Sequence, residues 1–273
     1  MAVRKLRAPT RKPIVLRAVR PNAGLRARFH ADLLKLVNEM HNSLDYWLKA
    51  AYNQNEPEIA AIAKDRSPAA VLQTVFNRLR ARWQKRFDEA APRLAKYFSQ
   101  KIADRSDAQL RQILKDGGFS VPFKMPKPMN DVMQATINEQ VGLIKSIAQQ
   151  HLGAVEGMVM RSVSEGRDLY TLSKELRHRY GITARRAAFI SRDQTNKMTA
   201  SFNRVRQQEL GIETALWMHS HAGKEPRPTH VANDGKPYKI SEGWLDPAIG
   251  KRIWPGTEPN CRCFSKPVVA GFD

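Results

Sequence analysis

The chain has 273 residues, 42% of them hydrophobic, and 46 Lys+Arg against 26 Asp+Glu give a net charge of +20. That is room for one large domain or two modest ones, too apolar for wholesale disorder, and without the 18-residue apolar run that a membrane span needs. So positive a field favours polyanions or an acidic protein partner.

Residues 1–28 hold nine cations (Arg4, Lys5, Arg7, Arg11, Lys12, Arg17, Arg20, Arg26 and Arg28), no acid, and the prolines Pro9, Pro13 and Pro21. Like-charge repulsion and fixed proline φ predict an extended arm that adds little to a core. It has no apolar stretch of the secretory kind, and it is too poor in Ser and too rich in Pro for a transit peptide. Each phosphate such an arm neutralised would release a counterion, so its DNA binding would be salt-sensitive and blind to sequence.

Residues 29–118 read as a helical region. Leu33, Leu36, Val37, Met40, Leu44, Trp47, Leu48 and Ala51 recur at three and four, the period of an inward helix face. Ser67-Pro68 opens a second helix through Val71, Leu72, Val75, Leu79, Trp83 and Phe87. A third is predicted from Pro92. A fourth runs from Ser106 as cap to Gly117 as stop. Three prolines, Pro122, Pro126 and Pro128, make 119–130 a Pro-rich linker and the best boundary.

Residues 131–273 read as a helical stem followed by a small α+β domain. A helix capped by Asn130 runs to about Ser164, and a short one is stopped by Gly181. Thr183 caps a third helix that ends at Gly211. Arg185, Arg192, Asn196, Asn203 and Gln207 form its polar stripe, while Gln194 falls on the apolar side and needs a buried partner. Beyond Gly211 the period becomes two: "ETALWMHS", "KPYKI" and "CRCFSKPVV" are strands, with Asn233-Asp234-Gly235 as a turn. The fold class is therefore α+β: a mainly helical N-terminal region and a small C-terminal domain of helix plus antiparallel sheet, with Trp217 buried between them.

On a strand Cys261 and Cys263 share a face, so two thiolates could meet one ion, with His230, His219 or His221 as nitrogen ligands and Asp234 as an oxygen ligand. One C-x-C lacks the paired-knuckle spacing of convincing zinc sites. The plainer reading is preferred: two small buried residues in the closing strand, with His230 bonded to turn backbone. A structural zinc on Cys261, Cys263 and His230 is the alternative, and no other cofactor is expected. Two cysteines so close form no disulfide framework, which fits a reducing compartment. The chain contains no P-loop, GxSxG or HExxH, and no second histidine follows Asp234 at the helical spacing of histidine-metal nucleases, so no catalytic residue is assigned.

The ordered run Arg192-Asp193-Gln194-Thr195-Asn196-Lys197, Gly211-Ile212 before the strand with Trp217, Arg227-Pro-x-His230, Asp234-Gly235 and Asn260-Cys-Arg-Cys263 resembles the C-terminal domain of the phage Mu F-like minor head (head morphogenesis) proteins. The likeness covers roughly residues 150–268. The family usually reads Asp-Glu-Arg-Val-Arg before the Arg-Pro-x-His, where this chain has His221-Ala-Gly-Lys-Glu-Pro-Arg, one acid fewer. The resemblance implies a virion protein inside a tailed-phage head, present in the bacterial host cytoplasm during assembly. Its implied partners are the portal protein, major capsid or scaffold proteins and double-stranded DNA, with no membrane. It assigns Arg192, Asp193, Asn196, Trp217, His230, Asp234 and Gly235 to a structural motif. A DNA-binding regulator and a nuclease- or toxin-type enzyme on the same C-terminal domain remain as other readings.

Overall fold

The structure, a computed structural model, describes residues 4–5, 12–54, 68–123, 127–164, 169–223 and 225–269. Arg7, Arg11, Ser67 and Pro126 therefore lie outside the described residues, and of Arg4 and Lys5 only the backbone is described. In chain order the elements are β1 (Arg4–Lys5), β2 (Ile14–Val15), α1 (Ala23–Gln54), α2 (Pro68–Asp116), β3 (Phe119–Ser120), α3 (Lys127–Ser164) and α4 (Leu169–Glu209). Then follow β4 (Thr214–Met218), α5 (Pro228–Ala232), β5 (Pro237–Lys239), β6 (Trp244–Asp246), β7 (Lys251–Ile253) and β8 (Phe264–Val269). Four long helices and a four-stranded sheet, three of whose strands follow them, make up the fold, so the α+β expectation holds.

Several predicted boundaries move. The second, third and fourth helices of the sequence reading are one helix, α2, which passes through Pro92, and Ser106 is a buried interior residue, not a cap. The reason is packing: Phe87, Ala91, Ala95, Phe98 and Ile102 keep one buried stripe across the proline, and together they outweigh its lost hydrogen bond. α4 likewise runs through Gly181 and Thr183. A helical glycine costs about 1 kcal/mol relative to alanine, against buried Leu172, Leu176, Ala187 and Ile190 on either side. Thr183 donates to the Arg179 carbonyl one turn back (3.1 Å) instead of capping. Within 119–130 the expected linker holds β3 and the first turn of α3, so Asn130 is inside the helix. Trp47, expected inward, is 48% exposed.

The stop at Gly211 is as expected. Its φ is +69°, its amide donates to Gln208 O and the Ile212 amide to Gln207 O, the paired bonds of a Schellman ending.

The chain forms two compact units. One comprises Arg28–Ala95 and Glu139–Ser191; the other comprises Met1–Ala27, Lys96–Asn138 and Arg192–Asp273. The first is all-helical, built on buried Phe29, Leu33, Met40, Phe76, Trp83, Phe87, Ile144 and Leu152. The second carries the sheet, in the order β2-β8-β4-β5 with every pair antiparallel. Its core joins Leu16, Val19, Leu110, Leu114, Leu210, Ile212, Trp217, Tyr238 and Ile240.

The extended-arm expectation is corrected here. Ile14 and Val15 pair with Val269 and Val268 as an edge strand, Leu16 and Val19 are 4% exposed, and α1 already starts at Ala23. Only Ile14–Val15 is strand, and with buried Leu16 and Val19 it is a packed part of the second unit.

Candidate metal centre

The three cluster residues come from two short, irregular segments. His230 sits on α5, a one-turn helix with Pro228 in its first turn. Cys261 and Cys263 lie just before β8, not within it, yet both are buried free thiols. Cys261 Sγ is 3.6 Å and Cys263 Sγ 3.7 Å from the same atom, His230 Nδ1. Ligand atoms of all three residues lie within 4.8 Å of one another. The other ring nitrogen, Nε2, is 3.3 Å from Asp246 Oδ2, a side chain 1% exposed. His230 thus faces sulfur and carboxylate, not turn backbone.

The stripe of α4 explains how an irregular loop holds its shape. Asp193 Oδ1 accepts the Asn260 amide at 2.6 Å, and Asn196 Nδ2 donates to the Cys261 carbonyl at 3.1 Å. Arg192 Nε donates to Asn260 Oδ1, and Arg227 Nη2 to the Pro259 carbonyl. Asn260 itself sits at φ +58°, a conformation that asparagine tolerates and most residues do not. At Gly256 (φ +87°) a Cβ would stand 3.1 Å from both Ala200 Cβ and the Cys263 carbonyl, so only glycine lets this loop lie against α4. Asn196, Asn203 and Gln207 of the stripe are buried and Arg185 is exposed; the clamp itself is made by Arg192, Asp193 and Asn196. Buried Gln194 donates to Asp193 Oδ2 at 3.5 Å.

Trp217, fully buried on β4, floors the site. Its ring lies 5.1 Å from the His230 ring and 5.0 Å from that of Trp244. Asp234 is elsewhere: Oδ1 accepts the His219 amide at 2.8 Å and Oδ2 meets His221 Nε2 at 3.0 Å. Those bonds, the His219 amide first, hold its carboxyl below the usual range. It pins the loop after β4 and is not in the cysteine cluster. Gly235, at φ +73°, donates its amide to the Trp217 carbonyl.

The two sulfurs share a proton. A hydrogen bond from Cys263 holds the Cys261 thiol down to about 4, and the same bond together with burial pushes Cys263 up. Above the pair lies a cavity of about 450 Å³ lined by the trio with His219, Ser220, Arg227, Asn260 and Arg262.

Of the nine expected DNA- or portal-binding cations, Lys12, Arg17, Arg20, Arg26 and Arg28 have described side chains, all exposed. Arg17 pairs with Asp116, and Arg20 lies 3.8 Å over the Phe264 ring. Sequence reasoning missed Asp246. No spacing rule ties an acid in a strand to a histidine sixteen residues earlier, and only the β6–β7 hairpin brings them together.

Residues 153–265 match the family described as phage Mu protein F like protein. The resemblance carried by the Arg192–Lys197 helix, the Arg-Pro-x-His and the Asn-Cys-Arg-Cys falls within this range. Over 129 residues the chain is 32% identical to an uncharacterized protein of Haemophilus influenzae, covering 47% of this chain and 28% of that protein. The chain spans little more than a quarter of that relative's length. No solved structure matches.

Proposed function

We propose that the protein is a minor head protein of a tailed phage. In this reading it sits at the portal inside the head, assists procapsid assembly and DNA packaging or ejection, and touches double-stranded DNA without reading sequence. The observation that carries the reading is the likeness of residues 153–265 to phage Mu F-like proteins. Part of the likeness is physically coherent, because several of its quoted residues belong to one device: Arg192, Asp193 and Asn196 clamp the loop that presents Cys261 and Cys263. Supporting the DNA contact are the net charge of +20 and the exposed Lys12, Arg20, Arg26 and Arg28. The portal protein, the major capsid or scaffold proteins and DNA are the proposed partners. The virion is the proposed place, reached through the host cytoplasm. Among the described residues no helix is long and apolar enough to cross a membrane.

The reading is tested by deleting the gene from the phage or prophage that encodes it. Tails should still form, while heads should arrest as procapsids or stay empty, and complementation should restore them. Normal titres of DNA-filled particles without the protein would overturn the proposal.

A further inference from the structure

The geometry points to a zinc ion held by His230 Nδ1, Cys261 Sγ and Cys263 Sγ, with Asp246 orienting the imidazole and a fourth, exchangeable position facing the cavity. Nothing in this inference depends on the head-protein reading.

Spacing is the first argument. Zn–S bonds of about 2.3 Å and Zn–N bonds of about 2.0–2.1 Å, set at the tetrahedral angle, place sulfur and nitrogen about 3.6 Å apart. The two sulfur–nitrogen distances are 3.6 and 3.7 Å. A thiol hydrogen bond to nitrogen falls in the same range, but Nδ1 has only one lone pair or one proton and can serve one sulfur. Two sulfurs equidistant from one nitrogen are what a shared ion produces.

The imidazole is also presented as a metal ligand. Its Nε2 lies 3.3 Å from Asp246 Oδ2, both side chains being almost wholly buried; the pair is not aligned as a hydrogen bond, but the nearby carboxylate favours the ring proton on Nε2 and so leaves the Nδ1 lone pair to the sulfurs. A carboxylate behind a ligating histidine is the usual outer partner of zinc. Asp246 is itself fixed, its Oδ1 accepting the Ala248 amide at 3.0 Å.

Donor chemistry selects the ion. Two thiolates and one imidazole suit zinc and exclude calcium and magnesium, which take oxygen ligands. Both sulfurs bind as thiolates, any proton between them passing to solvent, and the ion with its two thiolates is electrically neutral. The same clamp that shapes the loop, from Asp193, Asn196 and Arg227, fixes the backbone from Pro259 to Cys261 before the metal arrives.

The cavity settles the fourth position. All three donors line it, beside His219, Arg227 and Arg262, and His219 is not among the residues whose donor atoms converge. Three protein ligands and a solvent-facing side make an open site, in which water or a small anion completes the tetrahedron.

The test uses the full chain, purified under reducing conditions without chelator. Elemental analysis should find about one zinc per chain. Cobalt(II) exchanged into the site should give thiolate-to-cobalt charge-transfer bands and the intense visible bands of a tetrahedral ion, and azide should shift the visible bands. Cys261→Ser and Cys263→Ser should lose the charge-transfer intensity. Because those variants can unfold, Asp246→Asn is the second arm: it should stay folded and bind zinc about 10–100-fold more weakly. A folded wild-type protein that holds no zinc and gives no charge-transfer band with cobalt would overturn the proposal. Bands that azide leaves unmoved would overturn the open fourth position.

Discussion

Asp193, Asn196 and Arg227 each direct a polar side chain at the backbone of one loop, between Pro259 and Cys261. In composition Asp193 and Asn196 are ordinary helix-surface residues of α4. Their burial depends on a loop more than sixty residues away, which no local pattern encodes. A second polar cluster lies in the helical unit. His151, fully buried, makes a 2.8 Å contact with Thr183 Oγ1, and burial drives its pKa from 6.5 down to about 3. Burial also lowers His41, whose ring lies near those of His151 and Tyr180. The folded state therefore resists protons that the unfolded chain accepts. Above pH 6.5 both states are neutral at His151 and nothing is lost. Stability falls as pH drops from 6.5 toward about 3, and at pH 5 the His151 share is about 2 kcal/mol. Urea melts at pH 7 and pH 5 should show this loss, and His151→Leu should lose less between the two. Equal losses in both proteins would remove His151 as the cause.

At the scale of elements, β4 was legible because alternation at Ala215 and Trp217 matches a half-buried strand, and β5 and β8 fall within the segments expected as strands, whereas β6 and β7 were not foreseen. The ending of α4 was legible because Gly211 carries the chemistry of the stop. The merged helices were not: Pro92, Gly181 and Thr183 carry true local signals that a continuous buried stripe overrides. β2 was hidden for a different reason. Two residues, Ile14 and Val15, sit in a stretch whose charge reads as a tail, and only β8 makes them a strand. Two changes to this segment should now behave differently. Deleting residues 2–28 removes β2 with buried Leu16 and Val19, each contributing about 1.5–3 kcal/mol, so the melting temperature should fall. Substituting Lys12, Arg20, Arg26 and Arg28 with Gln leaves the strand intact. It should keep the melting temperature while weakening duplex DNA binding and flattening its salt dependence. A salt titration of DNA binding beside a thermal melt reads both. Unchanged affinity in the Gln variant would show that its four cations are not the DNA contact.

For the molecule as a whole, the two compact units differ in what they offer. The helical unit is built from apolar stripes of four helical segments. The sheet-bearing unit holds most of the matched residues, the cysteine–histidine cluster and three of the four cations named above, with Arg28 belonging to the other. A head protein would need both a folded body to dock and a positive surface toward DNA, and a net charge of +20 supplies the second. The most direct measurement is quantitative mass spectrometry of density-purified particles from the phage that encodes the chain, with isolated tails run in parallel. The account predicts the protein in DNA-filled heads, at far fewer copies than the major capsid protein, and absent from tails. Its absence from filled heads and from procapsids alike, while it is abundant in the infected cell, would contradict the account.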